Sequence, residues 1–222
     1  MPQPPLTKVK EKAAIDVCRN FDLKEEARPL LREGQSPREF LDALLAGKKY
    51  AQGIDFLAHA LPPREAIWWG CLCLEKGIGS DLPPLDLEAF KAAAKWVLDP
   101  SEENRHAAQT RGKALGASAP AGLIAMAAGW TGGSLAPPMT SANPKVPQPP
   151  PVPPGPFVPA KAVAGAILLA SAKGDPTKLL PMQRSFVELG IGVAEGRFVW
   201  PEVKKAPKDE TKRTWKQRIS KV

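Results

Sequence analysis

Between Pro137 and Pro159, eleven of twenty-three residues are proline. Proline fixes φ and has no amide hydrogen, so this stretch can be neither a helix interior nor a central strand. It reads as polyproline-II-like coil, reaching roughly 70 Å if extended at about 3.1 Å per residue. Any core must therefore be assembled from the sequence on either side of it. Val146, Val152, Phe157 and Val158 are apolar residues that a pure connector does not need. The stretch is accordingly expected to lie partly as a strap over the folded body.

Both flanks carry helical signals and no convincing run of alternating strand residues. Val9, Ala13, Val17 and Phe21 recur every four residues and predict a first helix over 7–20. Ser36-Pro37-Arg38-Glu39 is a capping box with proline at the first helical position. Phe40, Leu41, Leu44 and Leu45 then form one stripe, which Gly47 should end in the left-handed conformation. Tyr50, Ile54, Leu57 and Leu61 mark the next helix, stopped by Pro62-Pro63. Residues 64–75 are apolar on every face between charged ends, as in a helix at the centre of a helical domain. Gly77 and Gly79 should close it. Leu87, Phe90, Ala94 and Val97 give another stripe, with Lys91 and Lys95 facing out.

Asp99-Pro100 is expected to cap a polar surface helix over 101–115, with Ala107, Ala108 and Leu115 as its inner edge. Pro120 opens a second apolar helix through Trp130. After the prolines come a buried-type helix over 160–172 and a last helix opened by Asp175-Pro176 or Pro181 and ended by Gly196. Helix starts at 36, 99 and 175 are unevenly spaced, which argues against a repeat array. The fold class predicted is all-α: an irregular multi-helix bundle over 7–135, a proline-rich linker or strap over 136–159, a helical pair over 160–200 packing back on the bundle, and a basic tail over 201–222.

Composition narrows the function. Proline and glycine total 44 of 222 residues, about a fifth of the chain, against a usual ~12%. Charged residues are 24%, which excludes wholesale disorder. The net charge of +8 is uneven: Val203–Val222 holds eight Lys/Arg and two acids, leaving +2 for the other 202 residues. An electrostatic partner is thus to be sought at the tail, where Lys212, Arg213, Trp215, Lys216 and Arg218 mix cations with an aromatic ring. Three cysteines are too few for a disulfide scaffold. With no apolar leader-like segment and no run long enough to span a bilayer, a cytoplasmic location is expected.

No residue pattern requires catalysis. Cys71 and Cys73 stand two apart on a helix, pointing about 200° away from each other, so they cannot share a tetrahedral metal. His59 sits among Leu57, Ala58, Ala60 and Leu61, and His106 follows acids on a polar helix. Without a histidine partner a Ser or Cys nucleophile lacks its usual base. Gly129–Ser134 has a phosphate loop's glycines but follows a helix and lacks Gly-Lys-Ser/Thr, so it reads as cap and turn. Trp68 and Trp69 read as core. No catalytic residue, cofactor or metal is expected.

The stretches SPREFLDALLAGKKYAQGIDFLAHALPPREAIWWGCLCLE, AAAKWVLDPSEENRHAA, GGSLAPP, AKAVAGAILLASA and LGIGVAEGRFVWPE together resemble an uncharacterised bacterial family of small helical proteins, over about residues 10 to 202. The resemblance implies an accessory component of type VI secretion loci, encoded near effectors and their loading chaperones. It supplies no catalytic residues. The expected function is a non-enzymatic adaptor or scaffold for protein partners, a secretion effector or its chaperone among them. The alternative is a nucleic-acid-associated protein acting through the basic tail.

Because the tail offers no sustained core-facing stripe, a chain ending at residue 202 should melt within about 0.5 kcal/mol of the full chain's stability, the range of surface changes.

Overall fold

A computed structural model describes residues 4–79, 82–133 and 152–201. Among them the chain is all-helical, with no strand. The helices are α1 (Ala14–Cys18), α2 (Pro37–Ala46), α3 (Tyr50–Ala60), α4 (Pro63–Ile78), α5 (Pro84–Leu98), α6 (Glu102–Leu115), α7 (Pro120–Gly129), α8 (Val158–Ser171) and α9 (Leu179–Ala194). Short 3-10 turns cover Arg28–Leu30 and Pro176–Lys178.

The apolar pattern of α4 decides the packing. From Ala66 to Leu74 every residue is buried, and the helix touches α5, α7, α8 and α9. One contiguous core runs from Leu6 to Ala194 and includes side chains of both α8 and α9. Trp68 and Trp69 are 1% and 0% exposed, as expected for core residues. Each indole N–H, which must find an acceptor when buried, reaches the C-terminal part of the chain. Trp68 Nε1 donates to the Phe198 carbonyl at 3.1 Å and Trp69 Nε1 to the Phe186 carbonyl at 2.8 Å.

Room for the second indole comes from Gly190. A β-carbon there would stand 2.7 Å from Trp69 Cε2 and 2.8 Å from Leu57 Cδ1. The α6–α7 contact is equally close. β-Carbons at Gly112 and Gly129 would meet the Met126 backbone nitrogen at 2.7 Å and Gln109 Cβ at 2.5 Å.

Several local expectations are corrected. The first helix is only Ala14–Cys18, not 7–20. Thr7 and Lys8 instead meet the end of α9, where the Thr7 hydroxyl donates to the Glu195 carbonyl and the Lys8 amide to the Ala194 carbonyl at 2.9 Å. The Lys8 bond satisfies a carbonyl left open by the helix terminus, and it outcompetes the fourfold apolar spacing. Gly47 is not left-handed; Lys48 is, at φ 56. The amides of Lys48 and Lys49 bond to the carbonyls of Leu45 and Leu44, which completes a Schellman cap with lysine where glycine is usual.

The helix α4 continues through Gly77 to Ile78, and Gly79 alone ends it, at φ 82. Ser101, not Asp99, caps α6 by accepting from the Asn104 amide at 3.4 Å. Ala107 faces solvent. The inner face of α6 is Asn104, Arg105, Ala108, Gln109 and Gly112. The capping box at Ser36 and Glu39 forms as read, with the Ser36 amide donating to Glu39 Oε2 at 2.8 Å.

Two substitutions check this packing by thermal or denaturant melts. Gly190→Ala should cost about 1–3 kcal/mol by overpacking. Trp68→Ala should cost about 3–5 kcal/mol, as for other buried aromatics; a melt unchanged by it would mean the ring is not core.

Candidate functional site

The tail residues Lys212, Arg213, Trp215, Lys216 and Arg218 lie outside the described residues, as does the proline-rich stretch up to residue 151. Two clusters flank that stretch in sequence. On the departing side, Arg105 is 3% exposed. It donates from Nη1 to the Gly129 carbonyl, closing the C-terminal end of α7, and pairs with Glu102 at 2.9 Å. Gly132 and Gly133 wrap over its guanidinium. The glycine-rich loop thus works as a cap and turn around a buried cation.

On the returning side, Phe157 meets His59. The two ring centroids are 6.1 Å apart, and Phe21 stacks on the same imidazole at 5.0 Å. A cavity of about 130 Å³ adjoins this contact, walled by Ala58, Leu61, Pro63, Pro156 and Val163 among others, with His59 as its polar side chain.

His59 ends a polar seam that runs down α3 at spacing i, i+3, i+7. The Lys24 amide donates to Gln52 Oε1 at 2.9 Å, and Gln52 Nε2 donates to Asp55 Oδ2 at 3.3 Å. His59 Nδ1 lies 2.8 Å from the Asp55 carbonyl. A carbonyl only accepts, so Nδ1 carries the proton and Nε2 holds a lone pair. That Nε2 is buried without a partner. Burial pushes the Asp55 carboxyl up to about 6, against the pull of Lys24. Burial likewise holds the His59 imidazole below its ordinary value; the Asp55 carbonyl opposes the shift and Lys161 adds to it. The seam was readable as Gln52-x-x-Asp55-x-x-x-His59, but the apolar neighbours of His59 in sequence concealed it.

The cysteines are inert packing. Burial pushes the Cys18 thiol up to about 11 and the Cys71 thiol up to about 12, and raises the Cys73 thiol well above its ordinary value. Thiols so raised are not nucleophiles near neutral pH. Among the described residues no group of three or more His, Cys, Asp or Glu is placed to hold a metal ion, and no helix is long and apolar enough to cross a membrane.

A second polar cluster fastens both ends of the described chain. Glu195, whose side chain is 4% exposed, accepts from Arg38 Nη1 at 2.7 Å and from Arg197 Nε. Arg38 also reaches Asp42 at 3.2 Å and the Pro4 carbonyl at 3.3 Å. Burial works to raise the Glu195 carboxyl, and the bonds from Arg197 and Arg38 outweigh it, so its pKa falls below the usual carboxylate value. In the first turn of α4, Arg64 donates to the Val97 and Leu98 carbonyls at 2.7 and 3.2 Å and lies 4.1 Å over the Trp200 ring. The last described residues are thereby held to the C-terminal end of α5.

Large apolar side chains emerge at the corner between α8 and α9. Leu169 is 40% exposed and Leu180 52% exposed. They flank the same short connection in sequence, across which Gln183 Nε2 of α9 donates to Ser171 Oγ at the end of α8 at 3.4 Å. Lys173 and Lys178 are exposed on that connection.

Arg38→Ala should cost about 1.5–3 kcal/mol, as for a lost hydrogen bond to a buried charge. Glu195 has a depressed pKa in the folded state, so its stabilising contribution is present above the unfolded carboxyl value, about 4.3. That contribution is lost as pH falls through the lowered value. The stability gap between the wild type and Glu195→Gln should therefore narrow on acidification below about pH 4.3, measured by urea melts across pH.

Comparison with curated proteins and with solved structures finds no match. A family model described as a family of unknown function, DUF6931, matches residues 40–194. That span runs from the first buried residue after the capping box to the last residue of α9 and takes in the seam and the α8–α9 corner. The chain belongs to the DUF6931 family.

Proposed function

We propose that this protein is a non-enzymatic helical adaptor that binds protein partners, an accessory or effector-loading component of type VI secretion. The secretion setting rests on the sequence resemblance. The binding role is supported chiefly by the α8–α9 corner, where Leu169 and Leu180 stand 40% and 52% exposed beside Lys173 and Lys178. Single exposed leucines are ordinary on a soluble surface; two at one corner, rimmed by cations, form an anchor for another chain. The chemistry suits a partner surface that is apolar and acidic. Lys212, Arg213, Trp215, Lys216 and Arg218 offer the same pairing of cations and an apolar ring in the tail sequence.

Co-purification from the native host, read by mass spectrometry, tests the reading. The wild type should recover a distinct protein partner from the secretion machinery. Leu169→Ser with Leu180→Ser should lose it while melting within about 0.5 kcal/mol of the wild type, the range of surface changes. A second pull-down with the chain ending at residue 202 measures the tail's share. Recovery of nucleic acid instead, with affinity collapsing between two salt concentrations as phosphate contacts require, would replace the adaptor reading with the nucleic-acid one. Unchanged recovery by the leucine pair would remove the corner as the binding surface.

A further inference from the structure

The buried imidazole of His59 joins three parts of the chain that are remote in sequence. Phe21 stacks on one side with ring centroids 5.0 Å apart and an interplanar angle of 25°. Phe157 packs at 6.1 Å from the returning proline-rich side. The residue is 8% exposed. Its Nδ1–H is committed to the Asp55 carbonyl at 2.8 Å, and its Nε2 is sealed off with no hydrogen-bond partner.

A second proton could go only to Nε2. It would create a charged donor with no acceptor, in a site walled by phenyl, proline and aliphatic groups. An unpaired charge in such surroundings is strongly disfavoured. Attraction between an imidazolium and the faces of Phe21 and Phe157 returns only part of that cost.

The charged groups around the ring do not supply the missing acceptor. On its own helix, the Asp55 side chain is engaged by Gln52. From the preceding segment, Asp22 is exposed and pairs with Lys24 and Arg28. On α8, Lys161 opposes a further positive charge. At the start of α4, Arg64 is a cation bonded to the end of α5. The adjoining cavity of about 130 Å³ gives the ring, or Phe157, room to move.

We propose that His59 is a pH-operated latch that holds the Val152–Phe157 segment on the helical body while the imidazole is neutral and releases it on protonation. The sign follows from linkage. The latched state holds the base below its ordinary value, whereas a released ring would titrate near 6.5. The latched state is therefore favoured above about pH 6.5 and loses up to about tenfold in population per pH unit below it. Asp55 acts in the opposite direction, because burial raises its carboxyl to about 6 and protonation relieves that burial cost. The latch must outweigh it.

Hydrogen exchange read by mass spectrometry over residues 152–161, corrected for intrinsic rates, tests the latch in the full chain. Two amides report on the segment: Val158 bonds to the Gly155 carbonyl and Lys161 to the Phe157 carbonyl, each at 3.0 Å. Between pH 7.5 and 5.5 the wild type should lose protection several-fold, up to about tenfold. His59→Phe keeps an aromatic stack without a titrating nitrogen and should hold its protection at both values. Asp55→Asn removes the opposing group and should retain the loss. Equal protection in the wild type at both pH values, an equal loss in His59→Phe, or no loss in Asp55→Asn would overturn the latch. Should His59→Phe fail to fold, the His59 pKa measured by NMR in the wild type decides. A value clearly under 6.5 supports the latch and a value at or above 6.5 overturns it.

Discussion

The structure depends on burying α4 from every side. A helix with no polar face between Ala66 and Leu74 has to be surrounded, and α5, α7, α8 and α9 surround it. The adjacent indoles turn this burial into a specific arrangement. A buried indole N–H needs an acceptor, and these two find carbonyls at Phe186 and Phe198, more than a hundred residues further along the chain. Apolar area alone would let α9 slide. The Trp69 bond, with Gly190 too small to obstruct it, fixes the register of α9 on α4.

Once α9 is placed, the first and last described segments follow. The C-terminal carbonyl of α9 at Ala194 is met by the Lys8 amide, and Glu195 draws in Arg38 and Arg197. Trp200 rests under Arg64, which in turn closes α5. Two of the polar clusters thus satisfy helix ends: Arg105 at α7 and Arg64 at α5. The seam at His59 is different in leaving a nitrogen unpaired, and it lies where the proline-rich side of the chain rejoins the body. An adaptor needs a rigid body with attachments that can be engaged or withheld. The proposed function and the proposed latch share that division.

Much of this was legible in sequence wherever a single local rule governed. The capping box at Ser36, the all-round apolar α4 and the core tryptophans needed no knowledge of neighbours. Two kinds of group decided the failures: a remote backbone carbonyl, or the near neighbour that completes a local cap. Residues 7–13 pattern as helix, but Thr7 and Lys8 are claimed by the end of α9. Lys48 takes a left-handed conformation that Gly47 was expected to take, because the Schellman bonds fall one residue later. The inner face of α6 combines Ala108 and Gly112 with the polar Asn104, Arg105 and Gln109, and Gly112 and Gly129 let α6 and α7 approach closely. Asn104 and Arg105 bond there to the Asp99 and Gly129 carbonyls. Of the candidate sites, the tail stands out by composition alone, whereas the His59 contact depends on Phe21 and Phe157, which no spacing rule links.

The Trp69 bond locks α4 and α9 as one cooperative unit, although the proline-rich stretch separates them in sequence. Native-state hydrogen exchange in rising denaturant measures this directly, because it resolves the opening free energy of each segment. Amides over 66–74 and 186–193 should exchange only through global unfolding, with the same free energy and the same denaturant dependence. If 186–193 instead opened at markedly lower free energy while 66–74 stayed protected, the indole lock would not govern the fold and the two halves would be separate units.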